Sequence, residues 1–168
     1  MKQKEKELDA QTISRVYGKI LNLLSYRRRS GRELKEKLRK YISREKNVDK
    51  KVMEKYLFQR LEGAGYVDDK KFAQDLVEVI SNSSKPKSIL YIKRKLSEKG
   101  VSSSIINDSL QTLDKDFEYK SALKDIQKKA SLLKNTNTFI KQQKIKKYLY
   151  GKGYSSDAIY KTLTQLEV

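Results

Sequence analysis

The 168-residue sequence contains no cysteine, no histidine and no tryptophan. The missing cysteine and histidine exclude disulfides, thiol chemistry, Cys/His zinc sites and catalytic triads that need an imidazole. No apolar run approaches the roughly 20 residues of a membrane-spanning helix, and the opening stretch MKQKEKELDA has no apolar signal core. We therefore expect a cytoplasmic protein without membrane contact and without a metal site built on cysteine or histidine.

Proline and glycine are also scarce, with one and seven residues respectively, and no stretch alternates apolar and polar residues as a strand would. Apolar residues instead recur at helical spacing, as in the stripe Ile13, Val16, Tyr17, Ile20, Leu21 and Leu24. The pattern predicts an all-α fold. Helices are predicted near 13–25, 30–42, 48–63, 68–82, 86–99, 102–113, 116–133, 139–151 and 155–166.

Short patterns return along the chain. Two aliphatic residues stand four apart around basic residues in LKEKL (34–38), IKRKL (92–96) and IKKYL (145–149), and the last two copies stay in step at an offset of 53 residues. Such recurrence is typical of repeat proteins. We predict a tandem array of three three-helix repeats, elongated or curved: a flexible N-terminal arm at 1–12, repeat 1 at 13–66, repeat 2 at 67–114 and repeat 3 at 115–168.

The helix junctions carry capping signals. Ser30 and Glu33 form a capping box. Elsewhere, a residue suited to cap a helix follows an apolar residue that is placed to contact the helix's first turn: Val67/Asp68/Phe72, Val101/Ser102/Ile106 and Tyr154/Ser155/Ile159. We expect Tyr66, Asp68, Asp69 and Phe72 to hold the junction between repeats 1 and 2.

Acidic residues are few: 39 Lys and Arg stand against 21 Asp and Glu, for a net charge of +18. Residues 15–66 hold 16 basic and 6 acidic side chains, residues 67–114 hold 8 and 7, and residues 115–168 hold 12 and 5. An excess of this size favours a polyanionic partner, although each basic run alone also fits a solvated helix face. The predicted polyanion contacts are Arg27, Arg28, Arg29, Arg32, Lys35, Lys85, Lys87, Lys93, Arg94, Lys95, Lys144, Lys146 and Lys147.

Enzyme signatures are missing from the sequence. The pair Asp68-Asp69 lies where a helix needs a cap, and the Gly-x-Gly pairs at 63–65 and 151–153 lack the remainder of a phosphate-binding loop. Tyrosines beside the basic helices fit either base stacking or, preferably, the core. We predict a protein without catalytic residues and without sequence-specific DNA reading.

Three motifs resemble the signatures of RecX regulatory proteins: LSYRRRSGRELKEKL (24–38), LEGAGYVDDKKFA (61–73) and KPKSI (85–89) followed by Leu96 and Gly100. The resemblance implies tandem three-helix repeats, without catalytic residues, metal or other cofactor, that bind the RecA recombinase, mostly as its filament on single-stranded DNA. It implies that they limit ATP hydrolysis, strand exchange and coprotease activity in DNA repair and also bind DNA directly. The near-neutral repeat 2 and the Lys70-Lys71 pair depart from the family pattern.

The sequence thus predicts a monomeric, non-catalytic regulator that contacts the recombinase filament and single-stranded DNA, with double-stranded DNA as a further ligand. Two alternatives stay open. A general nucleic-acid-binding module would bind DNA or RNA without a recombinase partner. A helical adaptor would bind an acidic protein and no nucleic acid.

Overall fold

The computed structural model describes residues 9–132 and 137–166. Within these ranges the chain forms nine α-helices and no strand, which confirms the all-α prediction. No helix among the described residues is both long enough and apolar enough to cross a membrane. The helices are α1 (Ala10–Tyr26), α2 (Gly31–Ile42), α3 (Lys50–Gly63), α4 (Asp69–Ser81), α5 (Ile89–Glu98), α6 (Ser103–Leu110), α7 (Phe117–Leu132), α8 (Thr138–Lys152) and α9 (Ser156–Gln165).

The start of α1 corrects the predicted arm. Asp9 accepts hydrogen bonds from the backbone N–H groups of Gln11 and Thr12 and so caps a helix that begins at Ala10. Residues 10–12 are therefore helical and do not belong to a flexible arm. The remainder of that prediction, at residues 1–8, lies outside the described residues.

The predicted caps are present. Ser30 and Glu33 form a complete capping box at α2, while the Ser102 and Ser155 side chains accept from the first turns of α6 and α9. The apolar residues beside these caps, Val101 and Tyr154, are buried. Local capping chemistry therefore fixes where these helices begin.

The described chain divides into two compact units. Compact unit 1 runs to Phe72 and includes Lys99–Val101; compact unit 2 comprises Ala73–Glu98 and the chain from Ser102 onwards. In compact unit 1, α1, α2 and α3 pack together. Their core consists of Val16, Ile20, Leu34, Leu38, Ile42, Met53, Leu57 and Leu61.

In compact unit 2, α7, α8 and α9 pack on one another, and α5 packs on α6. Aliphatic pairs four residues apart supply much of the core, because such residues share one helix face. Ile145 and Leu149 of α8 are fully buried, as are Ile92 and Leu96 of α5. The core around α8 also contains Ala122, Ile126, Tyr154 and Ile159.

A set of contacts around the N-terminus of α2 holds compact unit 1 together. The Ser30 hydroxyl donates to the carbonyl oxygen of Lys99 at 2.6 Å, and the Gly31 N–H donates to Asp69 Oδ1 at 2.8 Å. Gly100 follows with φ +78° and lies against Arg32. The predicted junction residue Asp69 therefore contacts the second helix of repeat 1.

The same contacts recur at the N-terminus of α5, inside compact unit 2. The Ser88 hydroxyl donates to the Lys152 carbonyl at 2.8 Å, and the Ile89 N–H donates to Glu118 Oε1 at 3.1 Å. Gly153, with φ +82°, lies against Leu90. This equivalence supports the division into three repeats, whose boundaries stay a prediction.

Candidate nucleic-acid interface

The cations nearest the start of α2 are engaged inside the protein. Arg27 donates to Glu33 through Nη2 at 2.9 Å and Nη1 at 3.2 Å, and Lys99 Nζ donates to Glu33 at 2.8 Å. Burial of Glu33 opposes its ionisation, but the hydrogen bonds from Arg27 and Lys99 outweigh burial and hold its pKa at about 2. Arg27 therefore has a carboxylate partner at neutral pH.

Other predicted contacts of repeat 1 also have internal partners. Arg32 Nε lies 3.1 Å from Glu36 Oε1, and the Lys35 ammonium lies 4.3 Å from the centroid of the Phe58 ring. Among the described residues, the Nε atom of Arg29 is buried without a hydrogen-bond partner. In repeat 1, which has the largest basic excess, several cationic side chains thus already have partners within the protein.

The basic side chains around α5 have fewer internal partners than those around α2 and are more available to bind an anion. Lys93 and Arg94 are exposed and form no ion pair with a described residue. Lys95 pairs with Glu98 at 2.8 Å on the surface, an arrangement that contributes little free energy and yields readily to another anion. The Lys87 ammonium lies 4.5 Å from the centroid of the Tyr91 ring. Lys85 is exposed.

Helix α8 carries the least compensated charge among the described helices. It contains five lysines and no acidic residue. Lys144, Lys146 and Lys147 are exposed, and their ammonium groups make no ion pair or hydrogen bond with a described residue. Burial of Ile145 and Leu149 fixes the inner face of α8, so these lysines lie around its outer half. Lys144 and Lys147, three residues apart, share a face.

Tyrosines beside α8 belong mainly to the core. Tyr154 is buried, and its hydroxyl donates to Asp125 at 3.1 Å; the Tyr148 hydroxyl donates to the same carboxylate at 3.0 Å. Burial and the neighbouring Asp125 carboxylate raise the pKa of Tyr154. Tyr150 and, in α1, Tyr26 are exposed, with 48% and 85% of their surface accessible. Among the tyrosines beside the basic helices, these two have rings open to a base.

The remaining predicted junction residues have local roles. The Asp68 carboxylate accepts from the Lys71 N–H at 2.8 Å and caps α4. Phe72 is buried, whereas Tyr66 is 39% exposed. From the sequence, Glu33 is predicted only as part of a capping box, and Asp125 is not predicted to have any role. Both carboxylates bind side chains far away in sequence, for which a single sequence carries no local signal.

Comparison with known proteins identifies relatives of this chain. The regulatory protein RecX of Clostridioides difficile is 31% identical over 159 residues, which cover 95% of this chain and 71% of that protein. The chain belongs to the RecX family. RecX of Bacillus mycoides is 30% identical over 92% of this chain but 55% of its own length, so the chain spans only about half of that relative.

Solved RecX structures have the same fold. The crystal structure of RecX from Lactobacillus salivarius superposes with a TM-score of 0.81 at 28% identity, covering 95% of this chain and 99% of that one. A second RecX crystal structure gives a TM-score of 0.75 at 24% identity, over 97% of this chain and 82% of the other. The family model for the third three-helix domain of RecX matches residues 116–163, a range inside the predicted repeat 3.

Proposed function

We propose that this chain is a non-catalytic regulator that binds the RecA recombinase and its filament on single-stranded DNA. Membership of the RecX family supports this role, as do the names of its relatives, which are regulatory proteins. In this proposal the chain acts as a cytoplasmic monomer. It limits ATP hydrolysis, strand exchange and coprotease activity during DNA repair.

The structural observation that carries the DNA-binding part of this proposal is the uncompensated basic surface of α8. Lys144, Lys146 and Lys147 have no anionic partner among the described residues, so binding phosphates breaks no internal ion pair. Lysines that neutralise phosphates release condensed counterions, which gives salt-sensitive binding without sequence preference. Lys93 and Arg94 of α5 are proposed as a second set of phosphate contacts.

Repeat 1 takes a different part in this proposal. Arg27 already pairs with Glu33, which is largely buried, so transferring Arg27 to a phosphate requires that ion pair to break. The exposed Arg32–Glu36 pair contributes as little free energy as Lys95–Glu98 and is a weaker obstacle. We assign α2 a secondary role in DNA binding.

The test is ATP hydrolysis by the cognate recombinase on single-stranded DNA, with and without the chain, and with DNA sites in large excess. Because excess DNA prevents simple masking of the lattice, a lower rate then reports an effect on the filament. Sedimentation of the chain with filaments, compared with bare DNA, measures binding. Unchanged hydrolysis together with no sedimentation would refute the proposal.

A general nucleic-acid-binding module is the second candidate, favoured by the same α8 lysines. It predicts tight binding to bare DNA and no effect on hydrolysis when DNA is in excess. A helical adaptor for an acidic protein predicts weak DNA binding even at low salt. The two assays together separate all three functions.

A further inference from the structure

A pocket of about 240 Å³ lies inside compact unit 2. Its walls come from the end of α4, the loop before α5 and the first two turns of α7. None of the proposed contacts on α8 lines it. The pocket is therefore a feature separate from the α8 surface.

Lysines dominate the charge of the pocket. Lys85, Lys87, Lys120 and Lys124 line it, and Asp114 is the single acidic residue among its lining residues. The Asp114 carboxylate pairs with Lys120 at 2.7 Å. The ammonium groups of Lys85 and Lys124 make no ion pair or hydrogen bond with a described residue. An anion in the pocket would therefore meet two lysines, Lys85 and Lys124, whose charge no carboxylate of the described chain offsets, while the Lys87 ammonium lies over the Tyr91 ring.

Two local features hold these lysines together. Lys120 and Lys124 are four residues apart and lie on one face of α7. Between them, the Ser121 hydroxyl accepts from the Lys87 N–H at 2.9 Å and donates to the Lys87 carbonyl at 2.9 Å. Ser121 is buried, so the loop backbone is fixed against α7. The backbone of the loop that carries Lys85 and Lys87 is thus fixed beside the face of α7 that carries Lys120 and Lys124 before any ligand arrives.

The rest of the pocket is apolar enough to contact a sugar or a base. Ile80, Pro86 and Phe117 contribute to its wall. Lysine ammonium groups bind phosphate as point charges, while aromatic and aliphatic surface accepts the uncharged part of a nucleotide. A charged end beside an apolar wall matches one nucleotide of a chain better than a free inorganic anion.

We propose that this pocket binds one backbone phosphate of single-stranded DNA, with the attached sugar or base against Phe117. The proposal rests on the DNA-binding part of the proposed function and extends it to two residues that the sequence does not single out. Lys120 and Lys124 become phosphate contacts. Lys85 and Lys87 act at this pocket and not on an open helix face.

The first test is a titration of the isotopically labelled full chain with a short oligothymidylate, followed by the amide resonances of Lys87, Ser121 and Lys124. We expect all three to shift. Thymidine monophosphate and inorganic phosphate are titrated separately, and we expect weaker effects from both. Equal shifts with either small molecule would overturn the assignment to a DNA chain.

The second test removes two pocket charges with Lys85→Gln/Lys124→Gln. For single strands, the slope of log affinity against log salt falls by about 0.7 for each phosphate that is no longer neutralised, so loss of the one pocket phosphate should lower the slope by about 0.7. The matched control, Lys55→Gln/Lys70→Gln, removes the same charge at two exposed helical lysines outside the pocket, and its slope should stay near that of the unmodified chain. Circular dichroism and urea unfolding verify that both variants fold.

The outcomes separate this inference from the proposed function. Equal slopes for the two double variants, or oligothymidylate shifts confined to α8, would refute the pocket while leaving the proposed function standing. No shift anywhere would refute DNA binding in both. The hydrolysis assay is scored independently, because the titration contains no recombinase.

Discussion

The Ser88 hydroxyl links two distant turns, donating at 2.8 Å to the carbonyl oxygen of Lys152 while accepting from the Tyr91 N–H at 3.2 Å. One oxygen thereby caps α5 and satisfies the last turn of α8. Ser88→Ala removes both bonds from a buried position and should lower the free energy of unfolding by about 1–2 kcal/mol. Urea unfolding of Ser97→Ala, an exposed site in the same helix, provides the comparison; equal losses for both variants would contradict the proposed link.

Gly153 should tolerate no side chain. Its φ of +82° lies in the left-handed region, and an added Cβ would stand 2.9 Å from Leu90 Cδ2. We expect Gly153→Ala to cost about 1–3 kcal/mol through backbone strain and this clash. Gly151 lies inside α8 with nothing within 4 Å of an added Cβ, so Gly151→Ala should be neutral or stabilising by up to about 1 kcal/mol. Hydrogen exchange of the α8 amides measures both effects, and a loss at Gly151 equal to that at Gly153 would disprove the explanation.

Glu33 should make the stability of compact unit 1 depend on pH. Its folded pKa of about 2 lies below its ordinary value of 4.5, so its contribution is complete above pH 4.5 and is lost as the pH falls towards 2. At pH 7, Glu33→Gln should cost about 1–2 kcal/mol, because Arg27 and Lys99 lose a buried partner but remain partly solvated.

The difference between Glu33→Gln and the unmodified chain should shrink steadily below pH 4.5. Glu36→Gln is the control, since Glu36 pairs with Arg32 on the open surface of the same helix and should matter by less than about 0.5 kcal/mol. Denaturant unfolding at several pH values measures both. A difference for Glu33→Gln that stays constant down to acid pH would contradict the assigned ion pairs.

The α8 lysines should dominate the salt dependence of DNA binding. We expect replacement of Lys144, Lys146 and Lys147 by Gln to lower the slope of log affinity against log salt for single-stranded DNA by about 2. Each phosphate that is no longer neutralised accounts for about 0.7 of this decrease. The same replacement at Lys46, Lys51 and Lys55 removes equal charge from exposed sites in repeat 1. Fluorescence anisotropy over a salt series compares the two variants, and equal slopes would show that only net charge matters.

Helix positions follow from the sequence because their signals are local. Apolar periodicity and caps such as Ser30, Ser102 and Ser155 place all nine described helices within three residues of their predicted bounds. Two of the larger differences have local causes as well. Asp9 caps α1, so this helix begins at Ala10 and not near residue 13. Ser88 caps α5, so this helix begins at Ile89 and not near Pro86. The total charge, the repeat pattern and the family motifs are likewise read directly from the residues.

What the sequence alone determined is an all-helical, basic, repetitive chain of the RecX type. Tertiary structure decided which cations remain available to a partner. Glu33 is shared by Arg27 and by Lys99, which is 66 residues away, and Ser121 holds Lys87 beside Lys120 and Lys124. The physical reason is that neutralisation of a charge depends on distance in space, and folding brings together side chains whose separation along the chain carries no signal.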